Sequence, residues 1–140
     1  MGCSDPGTRI DDCTGIGTGL DGAGLARKRE VLRQVLALHA DATAPLDALA
    51  AFGGFEVATL VGAVLQAAEE RRVIVVDGFI ASAAVLVAQA LDANVTQRCI
   101  FAHRSGERGH MLMLRQFGAQ PLLELGLRLG EGSGAALAWP

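Results

Sequence analysis

RRVIVVDGFIASAAVLVAQALD (71–92) is the stretch that decides the fold. VIVV (73–76) is a short β-branched run bounded by charge, and its apolar residues are consecutive rather than alternating. A strand with one wet face would alternate, so the unbroken run points to a central parallel strand covered on both faces. GFIASAAVLVAQALD follows at once and is apolar nearly all round, as suits a helix packed between a sheet and other helices. Its small residues allow close approach. Further on, RCIFA (98–102) reads as a second strand and ERGHMLMLRQF (107–117) as an amphipathic helix. Strand and helix alternate at the spacing of right-handed crossover units, so the class predicted is α/β.

Upstream of this stretch the pattern is helical. From Gly22 to Ala40, Leu25, Leu32, Val35, Leu36 and His39 recur at helix spacing. ATAPLDALAAF opens a short helix, with Pro45 in its first turn and Asp47 favourable at its positive end. Gly53 and Gly54 break it. FEVATLVGAVLQAAEERR then predicts a helix buried on most sides that ends in a charged turn. Residues 1–21 show no periodicity and read as a loop or a frayed end. There is no internal repeat and no linker to a second domain.

A length of 140 residues suits one domain with a sizeable core. With 51% hydrophobic but only 4% aromatic residues, that core is Ala, Val and Leu packing rather than ring stacking. The net charge of −3, with no basic stripe, argues against nucleic acid. Apolar runs are interrupted by charge before reaching the roughly 18 residues of a membrane span. The start MGCSDPGTRIDD lacks the apolar core of a signal peptide, and Pro6 spoils a myristoylation pattern. Three cysteines without CxxC spacing speak against structural disulfides and zinc, and fit a reducing cytoplasm. His103 and His110 flank a loop without a companion at metal spacing, and read as solvated loop residues.

In open α/β sheets ligands gather beyond the carboxyl ends of the strands. Two loops qualify, DGF (77–79) and HRSGERG (103–109). Asp77 either looks into that crevice or caps the helix it precedes. Ser105, between Arg104 and Gly106, either caps a helix or joins backbone N–H groups in holding a phosphate. GTGLDG (17–22) and GEGSGA (130–135) match the dinucleotide pattern of glycines, but neither has the flanking strand and downstream acid that it requires. What survives is a glycine-rich turn entering a helix, whose free N–H groups suit an anion. Lys28, one helical turn past the first of these, is a solvated residue unless it bends back toward the turn as a point charge. Glu131 is the remaining puzzle, a lone carboxylate between two glycines in an apolar segment. It is a first-turn helix carboxylate, or a general base in a slot that the glycines open to a flat ligand. An apolar surround from Leu127, Leu129 and Ala135 would raise its pKa for that role.

Taken together, GIGTGLDGAGLARK (15–28), FGGFEVATLVGAVLQAA (52–68), VIVVDGFIASAAVLVA (73–88), AHRSGERGH (102–110) and LGLRLGEGSGAALA (125–138) resemble nicotinate-nucleotide–dimethylbenzimidazole phosphoribosyltransferases. The resemblance implies a Rossmann-like three-layer parallel sheet with flanking helices, incomplete here relative to the family. Residues 13–140 would be a partial phosphoribosyltransferase α/β domain, and residues 1–12 an unmatched, disordered terminus. It implies nicotinate mononucleotide and 5,6-dimethylbenzimidazole as substrates, α-ribazole 5′-phosphate and nicotinate as products, no cofactor or metal, a homodimer and a cytoplasmic setting in cobalamin lower-loop assembly. Glu131 would accept the proton from the attacking base. Lys28 and Ser105 would lie near the nucleotide phosphate, Asp77 would line the same pocket, and Gly132 with Ser133 would form the turn approaching the nucleotide. The alternative is an inactive fragment with a partial nucleotide site. In that case the long helices should each leave one flank bare, and the chain should associate.

Overall fold

The computed structural model describes residues 10–15, 19, 21–127 and 130–139. The reading of residues 1–9 as a disordered start lies outside the described residues, as do Gly17, Thr18 and Leu20 of the first glycine pattern. A short helix α1 (Ile10–Cys13) stands where a loop was expected. The Thr14 hydroxyl closes it by donating to the Ile10 carbonyl at 2.7 Å, a local bond that hydrophobic periodicity does not register. Cys13 is disulfide-bonded, whereas Cys99 is free. The odd cysteine count thus left one thiol over without preventing a pair.

Helix α2 (Gly22–Leu38) begins at Asp21, whose carboxylate accepts the Gly24 N–H at 2.7 Å. Helix α3 (Pro45–Phe52) has its proline at the first position, where no N–H is missed. Helix α4 (Phe55–Glu69) ends at Arg71, which takes a left-handed φ of 58°. Then come strand β1 (Ile74–Val76), helix α5 (Gly78–Leu91), a 3-10 turn (Ala93–Arg98), strand β2 (Cys99–Phe101), helix α6 (Arg108–Phe117) and helix α7 (Ser133–Ala138).

The two strands are parallel, with Ile74 level with Cys99 and Val76 with Phe101. A third extended segment continues the same edge. Leu122 and Leu123 donate N–H groups to the Phe101 and Ala102 carbonyls at 2.9 and 3.0 Å, and Arg104 N–H returns to the Leu123 carbonyl at 2.9 Å. The crossover through α5 is what brings the loops after β1 and β2 side by side.

The core lies where α4, α5 and the strands meet. Val61 and Val64 of α4, Ala84, Val85, Val87 and Ala88 of α5, Val76, Val95, Phe101 and Leu114 form one cluster. It is aliphatic, as the composition implied, apart from Phe101 stacked on Phe117 at 5.0 Å. Helix α5 is nearly enclosed, but α4 is not buried on most sides: Phe55 is 94% exposed and Leu60 is exposed too. One face of α4 packs along α5, and the described residues offer nothing of comparable extent to the other.

Candidate functional site

The site is built at the carboxyl ends of the parallel strands. Asp77, the first residue past β1, stands at the N-cap position of α5 but makes no side-chain cap there. Its carboxylate instead crosses to the far end of the chain and accepts the Ala135 N–H at 2.8 Å. It caps a helix, though a different one from the helix it precedes. Helix α7 needs that help, because its own N-cap is Gly132, which has no side chain to offer.

His103, two residues past β2, presents Nδ1 to the same carboxylate oxygen at 3.1 Å. That nitrogen is buried, and its approach to Asp77 lacks the alignment of a hydrogen bond, so it has no hydrogen-bond partner. The imidazole is wedged between two glycines. Gly78, at φ 68°, would place a β-carbon 3.2 Å from the ring, and a β-carbon at Gly134 would overlap both His103 Nδ1 and Asp77 Oδ1. Only glycine fits at position 134.

His110, on α6, lies beneath. Its Nδ1 accepts the Ser105 N–H at 3.0 Å, so the neutral ring carries its proton on Nε2, directed at the Ser82 hydroxyl of α5, also 3.0 Å away. Burial, and secondarily His103, push its pKa down to about 4, against an opposing pull from Asp77. His110 is thus a neutral strut under the loop. Neither histidine is a solvated loop residue: His103 is 5% exposed and His110 fully buried. Their burial comes from α5 and α7 closing over a stretch that reads as polar on its own.

Ser105 accepts the Glu107 N–H at 3.1 Å, a tight turn leading into α6. Lys28 is half-buried and bends back, donating to the Gly15 carbonyl at 3.2 Å. Gly15 is in turn pressed against the Glu107 carboxylate. Gly15, Leu25, Arg29, Gly106, Glu107 and Arg108 line a cleft of about 330 Å³. Lys28 and Ser105 therefore each bind a residue of one cleft wall.

Glu131 sits in a turn of three successive left-handed residues, with φ 79° at Gly130, 57° at Glu131 and 77° at Gly132. The turn is closed by Ser133 N–H to the Gly130 carbonyl at 3.0 Å. All three turn residues are exposed, so among the described residues Glu131 lacks the apolar surround expected for it; Leu129 of that surround lies outside them. The Ser133 hydroxyl is buried without a hydrogen-bond partner. Cys99 is no competing nucleophile, since burial pushes its thiol up to about 11. Among the described residues, no cluster of three or more metal-ligating side chains occurs.

Sequence reasoning missed His103, Ser82 and Gly134. The available signal was position, since His103 follows its strand end almost as closely as Asp77 follows its own.

Polar side chains collected beyond the carboxyl ends of parallel strands, with a glycine-rich turn beside them, are the arrangement in which α/β proteins place a ligand site. A family model described as a phosphoribosyltransferase matches residues 4–140. The chain belongs to that family. It is 77% identical over 134 residues to the nicotinate-nucleotide–dimethylbenzimidazole phosphoribosyltransferase of Variovorax paradoxus (strain S110), covering 96% of this chain and 38% of that protein. Against the enzyme of the same name from Cupriavidus necator the figures are 69% identity, 96% and 39%. The crystal structure of CobT from Thermus thermophilus superposes with a TM-score of 0.88 at 36% identity, covering 94% of this chain and 40% of the other. The chain thus spans about two-fifths of the length of these relatives.

Proposed function

We propose that the chain carries the nucleotide-facing part of a site that converts nicotinate mononucleotide and 5,6-dimethylbenzimidazole to α-ribazole 5′-phosphate and nicotinate, in assembly of the cobalamin lower loop. The observation that carries this reading is the glycine-bounded Glu131 turn, tied by Asp77 to the strand ends of a chain 77% identical to an enzyme of that name. One benzimidazole nitrogen attacks the anomeric carbon, and the bond to the nicotinate nitrogen breaks with its electron pair leaving on that nitrogen. The proton on the other benzimidazole nitrogen passes to Glu131. Nicotinate leaves readily because its ring nitrogen is cationic in the nucleotide, so positioning supplies much of the rate.

Lys28 and Ser105, each bonded to a residue of the cleft wall, suit the nucleotide phosphate, while Gly132 and Ser133 leave room for the nucleotide to approach. In this reading Asp77, at the end of β1, faces the same nucleotide. The residue set asks for no metal or cofactor. In this reading residues 13–140 are one partial, Rossmann-like domain of a cytoplasmic homodimer.

A second reading, a nucleotide-binding chain without turnover of its own, is favoured by the exposure of Glu131. One experiment separates them. The purified chain is incubated with both substrates, alone and with the rest of the Variovorax relative, and α-ribazole phosphate is followed by chromatography. Product only in the mixture supports the transferase reading with the rest of the site supplied by that part. No product in the mixture, with nicotinate mononucleotide still bound, supports the second. Absence of both turnover and binding would overturn the two together.

A further inference from the structure

We propose that His103 is a positioning residue: wedged between Gly78 and Gly134 and set against Asp77, it fixes the amino end of α7 on the sheet and so sets where the Gly130–Gly132 turn carries Glu131. The catalytic meaning of this placement rests on Glu131 being the proton acceptor; the placement itself does not.

Helix α7 has only six residues, too few to persist without outside support. Hydrophobic burial does not provide it, since Gly134 is the only buried residue of α7 and both Leu137 and Trp139 are more than half exposed. Its N-cap contributes no side chain. What remains at its amino end is the Ala135 N–H on Asp77 and the close seating of Gly134 on the His103 ring. The same ring keeps Asp77 at 3.1 Å, so it touches both partners of the contact. Glu131 lies three residues before Gly134, in a turn whose next constraint is the short Ser133–Gly130 bond. The amino end of α7 and the carboxylate therefore move together.

The test is amide hydrogen exchange by NMR on the 140-residue chain. In His103→Ala and Gly134→Ala, the Ala135 and Ala136 amides should exchange about tenfold faster or more, the factor set by losing a hydrogen bond to a charged acceptor. Val85 and Val87 of α5 should be unchanged. Asp77→Asn, which keeps an acceptor for Ala135, should restore most of the protection lost in Asp77→Ala. Combining Gly134→Ala with His103→Ala should recover part of the loss, because one change opens the space that the other fills. Unchanged Ala135 exchange in His103→Ala, or an equal acceleration throughout α5, would overturn the proposal. If His103→Ala does not fold, Gly134→Ala reads the same contact from the other side. In the reconstituted reaction, Gly134→Ala should lower kcat and leave KM for nicotinate mononucleotide nearly constant. Should Glu131→Gln leave turnover intact, the base assignment fails while the exchange pattern still judges His103.

Discussion

The floor of the site and its rim are built on opposite terms. In the floor, Ser82, His103 and His110 are each 5% exposed or less, and His110 has a defined partner at either ring nitrogen. At the rim, Gly130, Glu131 and Gly132 are exposed, and the Glu131 backbone is held in a conformation that a glutamate disfavours. Burial fixes geometry, because a polar group moved out of place in a dry interior leaves its partner unsatisfied. Exposure leaves a carboxylate free to meet a ligand and nothing to hold it except its backbone. The floor should therefore govern stability, and the rim should govern chemistry.

The largest effect that could break this division lies at the rim. Where the chain is turning over with the rest of the relative supplied, Glu131→Gln should slow the reaction by about 10²–10⁴, the range for a lost general base. Unfolding of the variant should stay within about 0.5 kcal/mol of the parent, as for other exposed positions. Steady-state rates and chemical denaturation measured on one preparation check both halves. A variant with normal turnover, or one that loses much stability, would put Glu131 in the wrong region.

The next effect belongs to the floor and needs no substrate. His110 falls from 6.5 to about 4 on folding, chiefly through burial. The unfolded chain therefore binds the extra proton first. Stability should be full above about pH 6.5 and decline as pH drops toward 4, by roughly 3 kcal/mol at about 1.4 kcal/mol for each pH step. Protonation would also put a proton on Nδ1, the nitrogen that accepts from Ser105. Urea midpoints across that pH window report the slope, and His110→Asn should flatten it. A slope that survives the substitution would trace it to other groups.

How much of this was legible from sequence follows the same line. The two strands and the helices around them are local patterns, and they came through, with Pro45 and the Gly53–Gly54 pair marking boundaries, but VIVV is not the central strand expected: among the described residues β1 pairs with β2 alone and Val73 is exposed. Asp77 was legible as a candidate because it directly follows its strand, and Glu131 because a glycine stands on either side of it. The partners were not legible. His110 finds Ser82 across 28 residues, and Asp77 finds Ala135 across 58. HRSGERGH looks solvated on its own, and only the closure of α5 and α7 over it makes its histidines part of the interior. The third extended segment at Leu123 was missed for a related reason, since its pairing with β2 shows no periodicity of its own.

The smallest effect is the most discriminating, and it uses a matched pair. Arg71 and Glu131 are the non-glycine residues at positive φ among those described, at 58° and 57°, and both are exposed. Arg71 has an ordinary structural reason, for it ends α4 with its N–H on the Ala68 carbonyl at 3.0 Å, a left-handed helix stop of a common kind. Glu131 has glycine on both sides, in a turn where a third glycine would fit without strain. A left-handed conformation costs a side-chain-bearing residue about 1–2 kcal/mol, and glycine returns about 0.4–1 kcal/mol through its freer unfolded state. Arg71→Gly and Glu131→Gly should then each stabilise by about 0.5 kcal/mol, raising Tm by roughly 1–2 °C in a chain of this size. Differential scanning calorimetry of both variants beside the parent would detect this. Only Glu131→Gly should also abolish turnover, as expected where strain is retained for function. If Glu131→Gly destabilised the chain while Arg71→Gly did not, the carboxylate would be holding the rim together, and the division between floor and rim would fail at the residue on which it was drawn.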